Sequence, residues 1–119
     1  MPCSVLVVDD DVEFRELAAR MLGAMGLEVV GEAGSCAEAQ AAAEELRPDA
    51  ALVDVGLPDG DGLQLAERLA ALEWRPRIVL TSSDPDATNT ADAQGLGAVG
   101  FLAKEDLLDG TLRNMLTGR

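Results

Sequence analysis

The sequence predicts an α/β protein with a parallel five-stranded sheet that is doubly wound, with helices on both faces. Two observations support this. Five short apolar runs alternate with five segments of helical spacing, and short connections join them without a linker, repeat or low-complexity tract. The first run, Ser4 to Val8, is apolar without alternation, which is typical of a strand buried on both faces. Such regular alternation favours a parallel sheet.

Length and composition limit the functions that are open to the chain. Its 119 residues are enough for one domain, residues 1–119, with a core that needs no disulfide or metal. A net charge of −13 disfavours a nucleic-acid surface, which needs clustered Lys and Arg. No apolar run approaches the roughly 20 residues that span a bilayer, and no secretion signal is visible. We therefore expect a cytoplasmic protein without a membrane or nucleic-acid partner.

Cysteine usage does not indicate a metal site or a disulfide framework. Cys3 and Cys36 form no CxxC pair, and the sequence contains no histidine. We expect both to be ordinary reduced thiols.

The first helix and second strand have clear boundary signals. Asp11 is placed to cap the helix and Gly26 to end it. The helix would bury one apolar stripe, made of Phe14, Leu17, Ala18, Met21, Leu22 and Met25. The next run, Leu27 to Ala33, alternates partly, which indicates an edge strand.

The middle of the chain predicts a second helix and a third strand. Ser35 and Glu38 form a capping-box pattern, and the alanine-rich helix behind them should reach about Leu46 and stop before Pro48. The third strand, Ala50 to Asp54, ends on a carboxylate. A third helix follows, with the apolar residues Leu65, Ala66, Leu69 and Leu72, and should end near Trp74-Arg75-Pro76.

The last third of the chain predicts two strands and two helices, and the first of these helices has a much weaker apolar pattern than the second. Arg77 to Ser82 is the fourth strand and Val99 to Ala103 the fifth. Between them, Asp86 to Gln94 is only weakly helical, because its apolar residues are all alanine. The final helix should run from about Asp106 to Leu116, with the wide apolar stripe Leu107, Leu108, Leu112, Met115 and Leu116. That stripe is either a partner face or simply a well-packed side.

Polar side chains stand at the ends of four predicted strands. They are Asp9 and Asp10, Asp54, the pair Thr81 and Ser82, and Lys104. The carboxyl ends of parallel strands meet at one edge of a sheet, where ligands of open α/β folds bind. We therefore expect these residues to share a site.

The residue types at this edge indicate metal-assisted phosphoryl transfer. Carboxylates about 4 Å apart repel by about 4 kcal/mol at an effective dielectric of about 20, and a divalent cation would remove that cost. Oxygen ligands without Cys or His favour Mg²⁺, which also binds phosphate oxygens. With a lysine and a hydroxyl beside it, Asp54 would be the nucleophile for a phosphoryl group.

These motifs resemble the receiver domain of two-component response regulators. The matching stretches, which extend over essentially the whole chain, are Val7-Val8-Asp9-Asp10, Val53-Asp54 through Leu57-Pro58-Asp59-Gly60-Asp61-Gly62, Leu80-Thr81-Ser82 and Gly100-Phe101-Leu102-Ala103-Lys104. The resemblance implies a flavodoxin-like (βα)5 fold with strand order 2-1-3-4-5. It also implies a signalling domain that is not an enzyme beyond its own phosphorylation and slow dephosphorylation.

The resemblance implies a role for each site residue. Asp54 would accept a phosphoryl group from a phosphohistidine of a sensor histidine kinase or of a histidine phosphotransfer protein. Mg²⁺ would be held by Asp54, Asp10, the Gly56 carbonyl and, mainly through water, Asp9. The phosphoryl-binding and switch residues would be Lys104, Thr81, Ser82 and Phe101. A downstream effector or a second copy would then read the face formed by the fourth helix, fifth strand and fifth helix.

The sequence departs from the family pattern at three positions. Glu105 follows the lysine where receivers commonly have a proline in a cis bond, and a cis bond before a non-proline residue costs about 3 kcal/mol. Phe101 replaces a frequent tyrosine and so lacks its hydroxyl. Gly56 has no side chain to shield or position a water molecule. None of the three departures removes a metal or acceptor residue.

Two other functions compete with this interpretation. A phosphatase of the haloacid dehalogenase type would use Asp9-Asp10-Asp11 as its nucleophile motif, but Glu13 stands where that motif needs Thr or Val, and neither a late acidic pair nor a cap domain is present. A phosphorylation-independent interaction module of receiver fold is the second alternative. The intact acceptor, metal and lysine positions disfavour it.

Overall fold

The structure is a computed structural model that describes residues 2–108 and 110–118. Within these residues, one sheet contains five parallel strands, numbered here without the short ladder described below: β1 Ser4–Val8, β2 Glu28–Ala33, β3 Ala50–Asp54, β4 Arg77–Ser82 and β5 Gly100–Ala103. Their order is β2-β1-β3-β4-β5. The predicted flavodoxin-like order 2-1-3-4-5 is confirmed, as is the edge position of β2.

The helices lie on both faces of this sheet. They are α1 Val12–Ala24, α2 Cys36–Leu46, α3 Gly62–Ala70, α4 Thr90–Gly95 and α5 Thr111–Thr117. Alternate residues of β1 enter two hydrophobic clusters: Leu6 and Val8 pack with α2 and α3, whereas Val5 and Val7 pack with α1 and α5. Burial on both faces explains the apolar runs without alternation. None of the described helices has the length and apolar character needed to cross a membrane.

The predicted caps form, with one difference of detail. Asp11 accepts the Glu13 N–H at the start of α1, and Gly26 follows that helix with φ of +85°. The Ser35 hydroxyl accepts the Glu38 N–H at 3.2 Å. The Glu38 carboxylate, however, accepts the N–H of Gly34 and not that of the capping serine. The capping box is therefore extended backwards by one residue.

The fourth helix is shorter than the sequence predicts. The predicted start at Asp86 is wrong, because α4 begins at Thr90. Before it, polar side chains hold the backbone in turns: the Ser82 hydroxyl accepts the Asp84 N–H, and the Asp84 carboxylate accepts the Asp86 N–H. Such local bonds compete with helix formation. The capping residue is Asn89, whose side chain accepts an N–H inside the first turn.

The final helix also begins later than predicted. A 3₁₀ turn covers Lys104–Asp106, and α5 starts only after Gly110, which has φ of +88°. A helix cannot continue through that left-handed conformation, so the predicted start at Asp106 is wrong. Leu112 and Leu116 are fully buried in the core. Leu108, which is 80% exposed, lies before the helix. The packing explanation of the stripe thus accounts for the leucines of α5.

Candidate functional site

Four strand ends bring the predicted site residues to one edge of the sheet. Asp54 ends β3 directly beside Thr81 of β4, its partner in the strand register. Carboxylate oxygens of Asp9, Asp10 and Asp54 all lie within 4.8 Å of one another. Lys104 follows β5 and reaches the same group, with its Nζ 3.9 Å from Asp54 Oδ2. The three carboxylates form an acidic pocket at this edge of the sheet.

The buried carboxylate of Asp9 is occupied on both oxygens. Its Oδ2 lies 2.7 Å from Lys104 Nζ, and its Oδ1 accepts the Asp11 N–H at 2.9 Å. Asp10, in contrast, is exposed. Of the three carboxylates, that of Asp9 thus has the shortest contacts with other protein groups.

The electrostatic environment of Asp54 disfavours its charged form. Burial, followed by the negative charge of Asp9, raises the pKa of Asp54 from 3.8 to about 6. The positive charge of Lys104 and a long N–H bond from Gly56 oppose that shift. A divalent cation in the pocket would lower this pKa, because an opposite charge favours the carboxylate.

The two strand-end hydroxyls differ in their contacts. Thr81 is fully buried, and among the described residues its Oγ1 has no hydrogen-bond partner. An unpaired buried hydroxyl costs about 1–3 kcal/mol, so a donor in this position is suited to an incoming acceptor. The Ser82 hydroxyl instead accepts the Asp84 N–H at 3.1 Å. The structure thus groups Thr81 with Asp54 and engages Ser82 in the following loop.

Phe101 contacts α4 through its backbone. Its N–H donates to the Thr90 hydroxyl at 3.3 Å, and the same hydroxyl donates to the Phe101 carbonyl at 3.4 Å. The ring is half-buried against the cluster beneath α2 and α3. Phe101 therefore links the fifth strand to the first residue of α4.

The loop after Asp54 is a tight hairpin. Residues Gly56–Leu57 pair antiparallel with Gly60–Asp61, and Asp61 caps α3. Gly62 donates its N–H to the Val55 carbonyl, and a Cβ at this position would lie 2.2 Å from the Asp54 carbonyl oxygen. Only glycine fits so close to the backbone of the proposed acceptor. From the sequence, Gly62 was a motif residue without a predicted role.

Two α1 residues also belong to the surroundings of the site, although they were predicted only as helix residues. The Phe14 ring lies under Lys104, with its centroid 4.0 Å from Nζ. Arg15 donates to the Asp9 carbonyl at 2.6 Å and pairs with Glu32. Both lie in the first turn of α1, just after the acidic residues that follow β1. That position is the sequence signal that would have indicated their place near the site. The Lys104–Glu105 bond is trans, since the described residues contain no cis peptide bond.

Comparisons with known proteins agree with this geometry. The family model of the response regulator receiver domain matches residues 5–115. The chain is 40% identical over 102 residues to the DNA-binding transcriptional activator DevR/DosR of Mycobacterium tuberculosis, covering 85% of this chain and 47% of that protein. It is also 40% identical over 104 residues to the protein-glutamate methylesterase/protein-glutamine glutaminase 2 of Anaeromyxobacter dehalogenans, covering 87% of this chain and 30% of that enzyme.

A solved structure extends the comparison to the fold. The signal receiver domain of a modulated diguanylate cyclase from Desulfovibrio desulfuricans superposes with a TM-score of 0.84 and 32% identity, covering 99% of this chain and 93% of the other. The chain spans half or less of the length of the curated relatives named above, and receiver domains connect to effectors of different kinds in them. The family match extends over most of the sequence and includes every residue of the acidic pocket. This chain belongs to the response regulator receiver domain family.

Proposed function

We propose that the chain is a phosphorylatable switch in which Asp54 accepts a phosphoryl group in a Mg²⁺-dependent reaction. The donor would be the phosphohistidine of a sensor histidine kinase or of a histidine phosphotransfer protein. The observation that carries this proposal is the group of Asp9, Asp10 and Asp54 oxygens within 4.8 Å, with Lys104 at the same edge. Residues 1–119 would act as a single receiver domain in the cytoplasm.

The metal ligands are those that the resemblance to receiver domains implies. Asp10, Asp54 and the Gly56 carbonyl would contact Mg²⁺ directly, and Asp9, which already contacts Lys104 and the Asp11 N–H, would act mainly through water. When bound, the ion neutralises the pocket and binds phosphoryl oxygens. The absence of Cys and His among these residues fits a cation that prefers oxygen.

The transfer itself exchanges one bond to phosphorus for another. A carboxylate oxygen of Asp54 attacks the phosphorus, the O–P bond forms, and the N–P bond of the phosphohistidine breaks as its imidazole leaves. Lys104 would then turn from Asp9 towards the new negative charge. The unpaired Thr81 hydroxyl would donate to a phosphoryl oxygen. Each of these partners lies beside Asp54 before the reaction.

The signal would leave the site through the loop between β4 and α4. Movement of Thr81 would pull this loop inward and shift α4 and Phe101, which share the Thr90 hydroxyl. The structure describes all six residues of α4, and only Ala93 among them is buried. The helix therefore has few packing contacts that would resist its movement. A downstream effector or a second copy would read the α4-β5-α5 face.

Intact mass spectrometry tests this proposal. The chain is incubated with acetyl phosphate, with and without Mg²⁺, alongside Asp54→Ala. We expect one phosphoryl adduct that requires Mg²⁺ and is absent from Asp54→Ala. A wild-type chain that forms no adduct with several donors would favour the phosphorylation-independent module. Continuous turnover of a small phosphate ester would instead favour the phosphatase.

A further inference from the structure

The N-terminus of α2 is capped by a residue from the loop that follows Asp54. A helix leaves its first N–H groups without partners inside the helix. Here Asp59 accepts two of them, from Cys36 at 2.7 Å and from Ala37 at 3.1 Å. The third, from Glu38, goes to the local capping residue Ser35. One carboxylate thus joins α2 to a segment 23 positions further along the chain.

Asp59 stands at the tip of the hairpin that carries Gly56. The hairpin is closed by pairing of Gly56 with Asp61 and of Leu57 with Gly60. It also lies against α2, since a Cβ on Gly60 would come 3.2 Å from Cys36 Sγ. The Asp59 bonds therefore fix the tip of the hairpin from outside.

Gly56 itself has little to hold it in place. It is exposed, and a Cβ at this position would meet no atom within 4 Å. Besides the long bond from its N–H to Asp54 Oδ1 at 3.4 Å, its position depends on the short ladder of the hairpin and on the bonds at the tip. An exposed two-pair ladder is marginal by itself, because isolated hairpins are barely stable in water.

We infer that Asp59 is a positioning residue for the metal site, acting through the hairpin on the Gly56 carbonyl. This inference rests on the proposed function, in which that carbonyl binds Mg²⁺. Asp59 would not touch the ion, and the Asp59 bonds to α2 would set the place of a ligand that has no side chain of its own. By linkage, Mg²⁺ binding would in turn restrain the start of α2.

The contact favours an ionised carboxylate, which offers two acceptor oxygens. The N–H bonds from Cys36 and Ala37 lower the pKa of Asp59, so the group is charged at neutral pH. The helix N-terminus also favours a negative charge. Asparagine keeps one acceptor oxygen of the two, and alanine keeps none. The two substitutions therefore separate partial from complete loss of the contact.

Calorimetric Mg²⁺ titration of four chains tests the inference: wild type, Asp59→Ala, Asp59→Asn and Ser35→Ala. Ser35→Ala is the matched control, because it removes the other cap of the same helix and leaves the hairpin untouched. We expect Asp59→Ala to bind Mg²⁺ about tenfold more weakly, as for other residues that orient a metal ligand. Asp59→Asn should lie between Asp59→Ala and wild type, and Ser35→Ala should bind as wild type does.

Hydrogen exchange without Mg²⁺ provides a readout that is independent of the metal. Asp59→Ala should exchange faster at the Cys36, Ala37 and Gly56 amides, whereas Ser35→Ala should leave Gly56 unchanged. Three results would overturn the inference. They are wild-type Mg²⁺ affinity in Asp59→Ala, an equal loss of affinity in Ser35→Ala, and equal losses of affinity in the two Asp59 variants. The last result would mean that the negative charge of Asp59, and not its hydrogen bonds to α2, supports Mg²⁺ binding. If the wild-type chain binds no Mg²⁺, the proposed Mg²⁺-dependent function is wrong, and the inference, which rests on it, is wrong as well.

Discussion

Lys104 pairs with Asp9 more closely than with Asp54. Its Nζ lies 2.7 Å from Asp9 Oδ2 and 3.9 Å from Asp54 Oδ2. The lysine therefore neutralises the fully buried carboxylate, and Asp54 keeps a raised pKa beside it. Phosphorylation would place a new negative charge on Asp54 and give Lys104 a stronger partner. Phosphorylation would therefore favour a shift of Lys104 from Asp9 towards Asp54.

Asp54→Asn should stabilise the metal-free protein. The folded-state pKa of about 6 exceeds the ordinary 3.8. Well below pH 3.8 the carboxyl group is protonated in both states and does not affect stability, whereas above pH 6 it is charged in both and its burial lowers the free energy of unfolding by the full amount. The free energy of unfolding should therefore rise in Asp54→Asn by about 3 kcal/mol at about pH 8, and this difference should vanish near pH 3. Urea unfolding of both chains without Mg²⁺ measures it. Asp86→Asn, at an exposed aspartate, is the control.

Mg²⁺ affinity should fall as the pH drops through about 6, because protons and the cation compete for Asp54. Titration calorimetry above and below that pH gives the dependence. In Asp54→Asn the residual affinity should lose most of this pH dependence. An affinity that is the same on both sides of pH 6 in the wild type would exclude Asp54 as a direct ligand.

Lys104→Met should destabilise the chain because it leaves the buried Asp9 charge without its counter-ion. Removing one partner of a buried pair costs about 3 kcal/mol, and the methionine retains some packing on Phe14. The double variant with Asp9→Asn should recover much of that loss. Denaturant unfolding of the single and double variants gives the coupling free energy. Strict additivity would contradict the pairing.

Thr90→Val should loosen α4 from β5 with little effect on phosphorylation. The substitution keeps the shape of the side chain and removes the hydroxyl that satisfies both backbone groups of Phe101. We expect faster amide hydrogen exchange at Phe101 and a loss of about 1 kcal/mol in local stability. Thr88→Val, in the preceding loop, is the matched control. Equal exchange at Phe101 in both variants would mean that Thr90 does not hold this strand.

The strand ends could be predicted from the sequence, because each apolar run stops at a polar residue and a parallel sheet gathers these ends at one edge. Asp9, Asp54, Thr81 and Lys104 were therefore expected together, and the structure brings them together. Their pairing could not be predicted. Whether Lys104 contacts Asp9 or Asp54 depends on burial and on the difference between 2.7 Å and 3.9 Å, which is smaller than the spacing of neighbouring residues.

The limits of the last two helices were missed for local reasons. The turn before α4 is fixed by side-chain bonds such as that of Asp84, which hydrophobic periodicity does not report. The start of α5 depends on the positive φ of Gly110, and the apolar stripe continued through it. Asp59 was missed because its partners on α2 are distant in sequence.

In the proposed reaction Asp54, and no other carboxylate of the pocket, receives the phosphoryl group. Borohydride reduction of the phosphorylated chain converts the acyl phosphate to homoserine, and peptide mass spectrometry then locates it. We expect homoserine at position 54 alone, and only after treatment with donor and Mg²⁺. Homoserine at position 9 or 10, or equal labelling without Mg²⁺, would contradict it.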